Sequence, residues 1–299
     1  MGRRRRGVSW AVGLALALGA LVLAAPALGG YHYEIETFTA NDAAQTGEEA
    51  TCGSGVAIGG GVSAVSPYAE GVYVNTSRPG TLGGSVNKNG WTIYVDNYVG
   101  GTGARTPRVY AVCDDNAEDS DYRIRQEAFT VPDNAEGGKA AKCRQGEFAV
   151  GGGATTSGFY PDEQYLSTSA PFDGPDPDKR PGDGWRAEIN NDEDGAGDEV
   201  AGVVYALCDR KHDPSDFRYV RKTRKVPDGE QKFRLVSCKG SETLVGGGVR
   251  SRSAYEHGLY INTSFPNSAV SPSLWSAAVD NYDTPDDKAR KITTTAICR

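Results

Sequence analysis

Apolar and polar side chains alternate with a period of two along much of this chain. From Trp91 the apolar set is Trp91, Ile93 and Val95, with Thr92, Tyr94 and Asp96 between them. The same phase runs through Trp185, Ala187 and Ile189, with Arg186, Glu188 and Asn190 between, and through Trp275, Ala277 and Val279. Such alternation predicts strands with one buried face. Short runs at Val56–Ile58, Val72–Asn75 and Val109–Cys113 read as further strands, separated by Pro and Gly clusters. No amphipathic helical pattern occurs beyond the N-terminal residues. The chain therefore reads as all-β, with short, regularly spaced strands that suit a sandwich, barrel or prism.

The pattern repeats three times. The cysteines are Cys52, Cys113, Cys143, Cys208, Cys238 and Cys298, with gaps of 61, 30, 65, 30 and 60. Each copy opens on a strand at Tyr31, Tyr122 or Phe217. After the first cysteine comes a triple glycine: Gly59-Gly60-Gly61, Gly151-Gly152-Gly153 and Gly246-Gly247-Gly248. Then follow Trp91, Trp185 or Trp275 and a closing Ala-aliphatic-Cys at Ala111, Ala206 or Ala296. The units span 31–113, 122–208 and 217–299, joined by the short polar segments Asp114–Asp121 and Asp209–Asp216. Each unit accounts for about six strands. The expected architecture is three tandem six-stranded antiparallel β repeats, sandwich-like or arranged as a pseudo-threefold prism, with one disulfide per repeat.

Composition adds the compartment. Residues 1–27 read as a secretory signal: Arg3–Arg6 form a charged start, Val8–Ala25 an apolar run, and Ala25-Pro26-Ala27 a cleavage site. Cleavage is expected after Ala27, with Gly30 as the alternative; a retained membrane anchor is the competing reading. The 299-residue chain has 32 Lys plus Arg and 39 Asp plus Glu, a charge of −7. Loss of four arginines with the signal makes the mature chain −11. That balance argues against a general nucleic-acid binder. The expected product is secreted or extracellular, in part wall-associated, with no membrane span after cleavage.

In an exported chain, six cysteines at repeated spacing form a disulfide framework. The repeat favours Cys52–Cys113, Cys143–Cys208 and Cys238–Cys298. A ring of Cys113–Cys143, Cys208–Cys238 and Cys52–Cys298 is the alternative. The triple glycines lack the following helix of a phosphate loop. They read instead as side-chain-free backbone against which the repeat's tryptophan packs.

Six residues after each tryptophan stands an asparagine: Asn97, Asn191 or Asn281. Two copies read Asp96-Asn97-Tyr98 and Asp280-Asn281-Tyr282. These are candidate ligand positions, since Asp and Asn can bond sugar hydroxyls while an aromatic ring stacks on the sugar. The competing role is a strand-end cap on local backbone. Asp192, Asp194 and Asp198 lie among glycines and offer a candidate calcium loop, although an EF-hand pattern fails at Ala201. No other cofactor is expected. The sequons at Asn75 and Asn262 read as strand ends rather than glycan sites. The three histidines, His32, His212 and His257, are not repeat-equivalent, and no catalytic residue is assigned.

The unit C-x(6,7)-G-G-G … W-x(5)-N … A-[VLI]-C resembles repeats of uncharacterised secreted actinobacterial proteins over nearly the whole mature chain. That group carries no firm activity, so the resemblance transfers no catalytic residue. The layout also looks like the vitelline membrane outer layer proteins, which implies by analogy a β-prism of three sheets about a pseudo-threefold axis. The expected function is a non-catalytic structural or binding role at or outside the cell surface, with an extracellular glycan or cell-surface protein as the partner class. The alternatives are a lectin-like carbohydrate binder using the Asp-Asn-Tyr positions and, third, a secreted hydrolase.

Overall fold

The computed structural model describes residues 30–64, 72–97, 103–156, 164–175, 180, 182–191, 199–251, 259–281 and 288–299. The candidate signal, Tyr98, Tyr282, His257 and the candidate calcium residues Asp192, Asp194 and Asp198 lie outside them.

Repeat 1 folds as β1 (Tyr31–Thr37), β2 (Ala44–Thr51), β3 (Val56–Ser63), β4 (Val72–Pro79), β5 (Gly90–Asn97) and β6 (Arg108–Asp114). Repeat 2 gives β7 (Tyr122–Val131), β8 (Ala135–Lys142), β9 (Phe148–Thr156), β10 (Gln164–Phe172), β11 (Gly184–Asn191) and β12 (Val200–Asp209). Repeat 3 gives β13 (Arg218–Val226), β14 (Glu230–Ser237), β15 (Leu244–Ser251), β16 (Leu259–Pro266), β17 (Leu274–Asn281) and β18 (Arg290–Cys298). The polar connectors tighten into single 3-10 turns at Asp119–Asp121 and Pro214–Asp216.

The three antiparallel six-stranded sheets do not coincide with the three repeats. Their orders are β1-β6-β3-β16-β17-β14, β13-β18-β15-β10-β11-β8 and β2-β5-β4-β9-β12-β7. Each repeat is split. Its first, third and sixth strands lie in one sheet and its second, fourth and fifth in another. The half-sheets of different repeats meet at equivalent bridges: Val62 with Ser264, Ala154 with Ser77, and Val249 with Ser169. The repeats are thus interlocked in a cyclic order, each sharing a sheet with both of the others.

The triple glycines make this close approach feasible. The middle glycine meets the tryptophan of its own repeat. A Cβ on Gly60, Gly152 or Gly247 would lie 2.3–2.4 Å from the indole of Trp91, Trp185 or Trp275. This is the contact expected from the spacing, and it sets the two halves of a repeat face to face. The outer glycines serve a purpose the spacing does not reveal. A Cβ on Gly61, Gly153 or Gly248 would lie 1.9, 1.8 or 2.3 Å from the carbonyl oxygen of Ser264, Ser77 or Ser169, each in another repeat. Gly151 and Gly246 press likewise on Ile58 and Val150. Trp91, Trp185 and Trp275 are buried, and each donates its indole N–H to a serine of its own repeat, Ser77, Ser169 or Ser264, at 3.0–3.1 Å.

The disulfides are Cys52–Cys113, Cys143–Cys208 and Cys238–Cys298, with Cα separations of 5.6–5.8 Å. Each joins the residue just past a repeat's second strand to its sixth strand, and so ties the two half-sheets together. Ala111, Ala206 and Ala296 are fully buried two residues before the closing cysteine.

The expectation of one buried face per strand holds for the Trp side and fails on the other. Thr92, Asp96, Asn190, Ser276 and Asp280 are also buried. Loops fold over that outer face: Thr92 donates to the Gly80 carbonyl, and Asn267 donates to Ser276. The polar pattern marks hydrogen-bonding needs at these positions, not solvent.

Candidate functional site

The repeat-equivalent asparagines lie at the ends of the fifth strands, and their amides are spent on backbone. Asn97 donates to the carbonyls of Ala40, Asn41 and Gly103 at 3.1–3.2 Å. Asn191 donates to Val131 and Pro132, and Asn281 to Val226 and Lys288. Each amide ties together backbone carbonyls from separate segments at the end of the fifth strand, and in repeat 1 it adds to the Ala40–Arg105 bridge. Asp96, Asn97, Asn191, Asp280 and Asn281 are all 0–3% exposed. None of these five offers a surface to a sugar. Asn97→Ala, which removes a buried donor from three carbonyls and leaves Ala40 only its Arg105 N–H, should cost about 2 kcal/mol, read as a lower urea midpoint.

Beside these strand ends the three repeats converge on Tyr73, Tyr165 and Tyr260. Their ring centroids are 4.7, 4.7 and 5.2 Å apart, and all three rings are buried. An amide links each repeat to the next here. Asn75 donates to the Gln164 carbonyl, Asn262 to that of Val72, and Asn190 to that of Leu259. The sequon asparagines Asn75 and Asn262 are therefore interior groups, 2% exposed.

Repeat 2 reaches the same result by exchange. Where repeats 1 and 3 carry Asn75 and Asn262 it has Ser167, and its amide comes from the cross-strand Asn190. The register pairs Gln45 with Asp96 and Gln231 with Asp280, but Glu136 with Asn190. Each repeat thus keeps one amide and one carboxylate at this pair, with the roles swapped in repeat 2. Ser167 donates to Glu136 at 2.5 Å. Burial pushes the Glu136 carboxyl up to about 7, and Glu188 nearby adds to this.

A raised folded value means that Glu136 keeps a proton which the unfolded chain has released. Stability should therefore fall as pH rises from about 4.5 to about 7, then level off. Glu136→Gln restores the residue type of Gln45 and Gln231. It should remove that slope and raise the denaturation midpoint near pH 8, measured against wild type.

At the opposite strand ends lies a polar cavity of about 340 Å³ lined by Tyr31, Asp114, Lys211, His212 and Arg299 among others. Its side chains are mutually engaged. Arg299 donates to the Tyr31 hydroxyl and lies 5.9 and 5.7 Å from the ring centres of Tyr31 and Phe217. Tyr122 donates to Asp114 at 2.9 Å, and Lys211 pairs with Asp121. His212 contacts Asp209 at 2.8 Å, while His32 contacts Asp115 at 2.9 Å. This cluster locks repeat 3 onto repeat 1.

The remaining candidate surface is at the outer edge of each repeat. The first and second strands of every repeat are sheet edges: β1 and β2, β7 and β8, β13 and β14. In repeat 2 they flank a groove of about 720 Å³ whose lining includes Arg125, Glu127, Lys139, Lys142 and Arg144. Lys139 and Glu127 pair across it at 2.9 Å, and Arg125 pairs with Glu147 at 2.6 Å. The sequence reading assigned no site to these strands. The signal was present in the basic run Arg221-Lys222-Thr223-Arg224-Lys225, hidden by a whole-chain charge that is acidic.

No family model matches the chain, and no curated protein is similar to it. Among the described residues no helix is long and apolar enough to cross a membrane.

Proposed function

We propose that the chain is a secreted, non-catalytic structural or binding protein that acts at or outside the cell surface. One observation carries this reading. The recurring triple glycines, tryptophans, asparagines and closing cysteines are buried, and the cysteines that pair with the latter are bonded into the body, while its strand edges differ in charge from repeat to repeat. The recurring marks build a scaffold, and the variable edges are what it presents. Three disulfides suit an oxidising compartment.

The test is expression of the full chain in a secreting bacterial host. The expected product is in the medium or wall fraction, begins near Leu28, has no free thiol, and turns over no polysaccharide or peptide substrate. Retention in the cytoplasm, or sustained turnover by the purified chain, overturns the reading.

A further inference from the structure

Strand register fixes which edge residues are equivalent in the three repeats. Glu36, Glu127 and Lys222 pair with Val109, Val204 and Thr294, each four residues before the closing cysteine. Glu48, Lys139 and Arg234 pair with Ile93, Ala187 and Ala277, each two residues after the tryptophan. In repeat 2 the two positions form the Glu127–Lys139 ion pair. The same two positions hold Glu36 and Glu48 in repeat 1, and Lys222 and Arg234 in repeat 3.

The neighbouring positions extend the contrast. The repeat 1 edge adds Glu34 and Glu49. The repeat 3 edge adds Arg221, Arg224 and Lys225, all exposed, and Lys232. Arg221, Lys222, Arg224 and Lys225 take part in no ion pair among the described residues. At the two equivalent positions one tip is neutral, one is acidic and one is basic.

Like charges facing across one edge repel, and a partner of opposite sign relieves them. Charged edge strands normally prevent edge-to-edge association. With opposite signs on two tips of one body, that protection works only between like tips. We infer that the basic tip of repeat 3 (β13 and β14) docks on the acidic tip of repeat 1 (β1 and β2) of a second copy. Exposed apolar side chains stand on both edges of the sheet that β1 and β14 share, Ile35 on β1 and Phe233 and Leu235 on β14. Because the two surfaces are different patches, the contact is head-to-tail and extends to chains of copies unless a ring closes. A second copy fits better than a polyanion, since the mature body is acidic overall and carries its own matching acidic edge. This gives the structural reading a partner, yet it fails separately, because association is measured on purified protein whatever its location or turnover.

The experiment uses the mature chain and two neutralised variants, Glu36→Gln with Glu48→Gln and Lys222→Gln with Arg234→Gln, in sedimentation velocity. Wild type should form concentration-dependent oligomers at low salt. These should dissociate near 1 M salt, where charges are screened beyond about 3 Å. Each variant alone should associate at least about tenfold more weakly. Their equimolar mixture should yield a one-to-one dimer and nothing larger, since only one competent acidic tip and one competent basic tip remain. That dimer also shows both variants to be folded. A wild type that stays monomeric at low salt overturns the proposal. So do variants that associate as wild type does, or capture of the monomer on heparin or polyphosphate through Lys222 and Arg234 without self-association.

Discussion

Gly153→Ala leaves no stable folded body. The new Cβ would stand 1.8 Å from the carbonyl oxygen of Ser77, with Arg78 Cα at 3.2 Å. Both are backbone atoms of a strand that belongs to repeat 1, so no rotamer change makes room. Relief requires β9 to move off β4, at the junction of two half-sheets. The expected loss is more than about 3 kcal/mol, the range of severe overpacking. It would be seen as loss of the cooperative transition in thermal or urea unfolding. Gly53→Ala is the matched control: nothing lies within 4 Å of its Cβ, and its effect should stay within about 0.5 kcal/mol.

Removing Cys238–Cys298 by paired serine substitution should cost about 4 kcal/mol, the chain-entropy value for a loop of its length. The sequence separation is 60 residues, close to the 61 and 65 of the other two. The loss should be largest for this bond in practice. Cys238 and Cys298 sit in a small core with Val236, Leu244, Trp275 and Ala296, whereas Cys113 and Trp91 of repeat 1 and Cys208 and Trp185 of repeat 2 belong to the large core that all three repeats share. Urea denaturation of the three single-disulfide deletions, with intact thiol counts for the remaining bonds, ranks them. Equal losses for all three would show that the local core does not matter.

What the sequence made legible was whatever closes within one repeat. Cysteine spacing found all three bonds, because a pair inside a repeat recurs at a fixed interval. The Trp91–Gly60 contact was legible for the same reason. Contacts between repeats left no interval to read. Gly59 and Gly61 look identical to Gly60 in the string, yet they face Val245 and Ser264 in another repeat. Which repeat shares a sheet with which is a matter of long-range topology. Thr92 was readable as a polar position, but its burial goes with the segment at Gly80 that folds across the outer face of the sheet. The Glu136–Asn190 exchange was present in the string as two departures in repeat 2. It made sense only once the register placed them opposite one another. The edge charges cancel into the chain total and stand out only strand by strand, as in the basic run of β13.

The cyclic sharing of sheets also sets an order in time. The sheet β1-β6-β3-β16-β17-β14 joins the first repeat to the last, and Arg299 holds Tyr31. On the secretory route proposed above, the chain threads through an export channel N-terminus first, and repeat 1 emerges with β3 unpaired on one side until β16 arrives some 200 residues later. The body therefore completes only after the whole chain has crossed. Quality control outside the membrane would act on the last repeat: a chain truncated before β16 leaves the triple-glycine edge of the first repeat open.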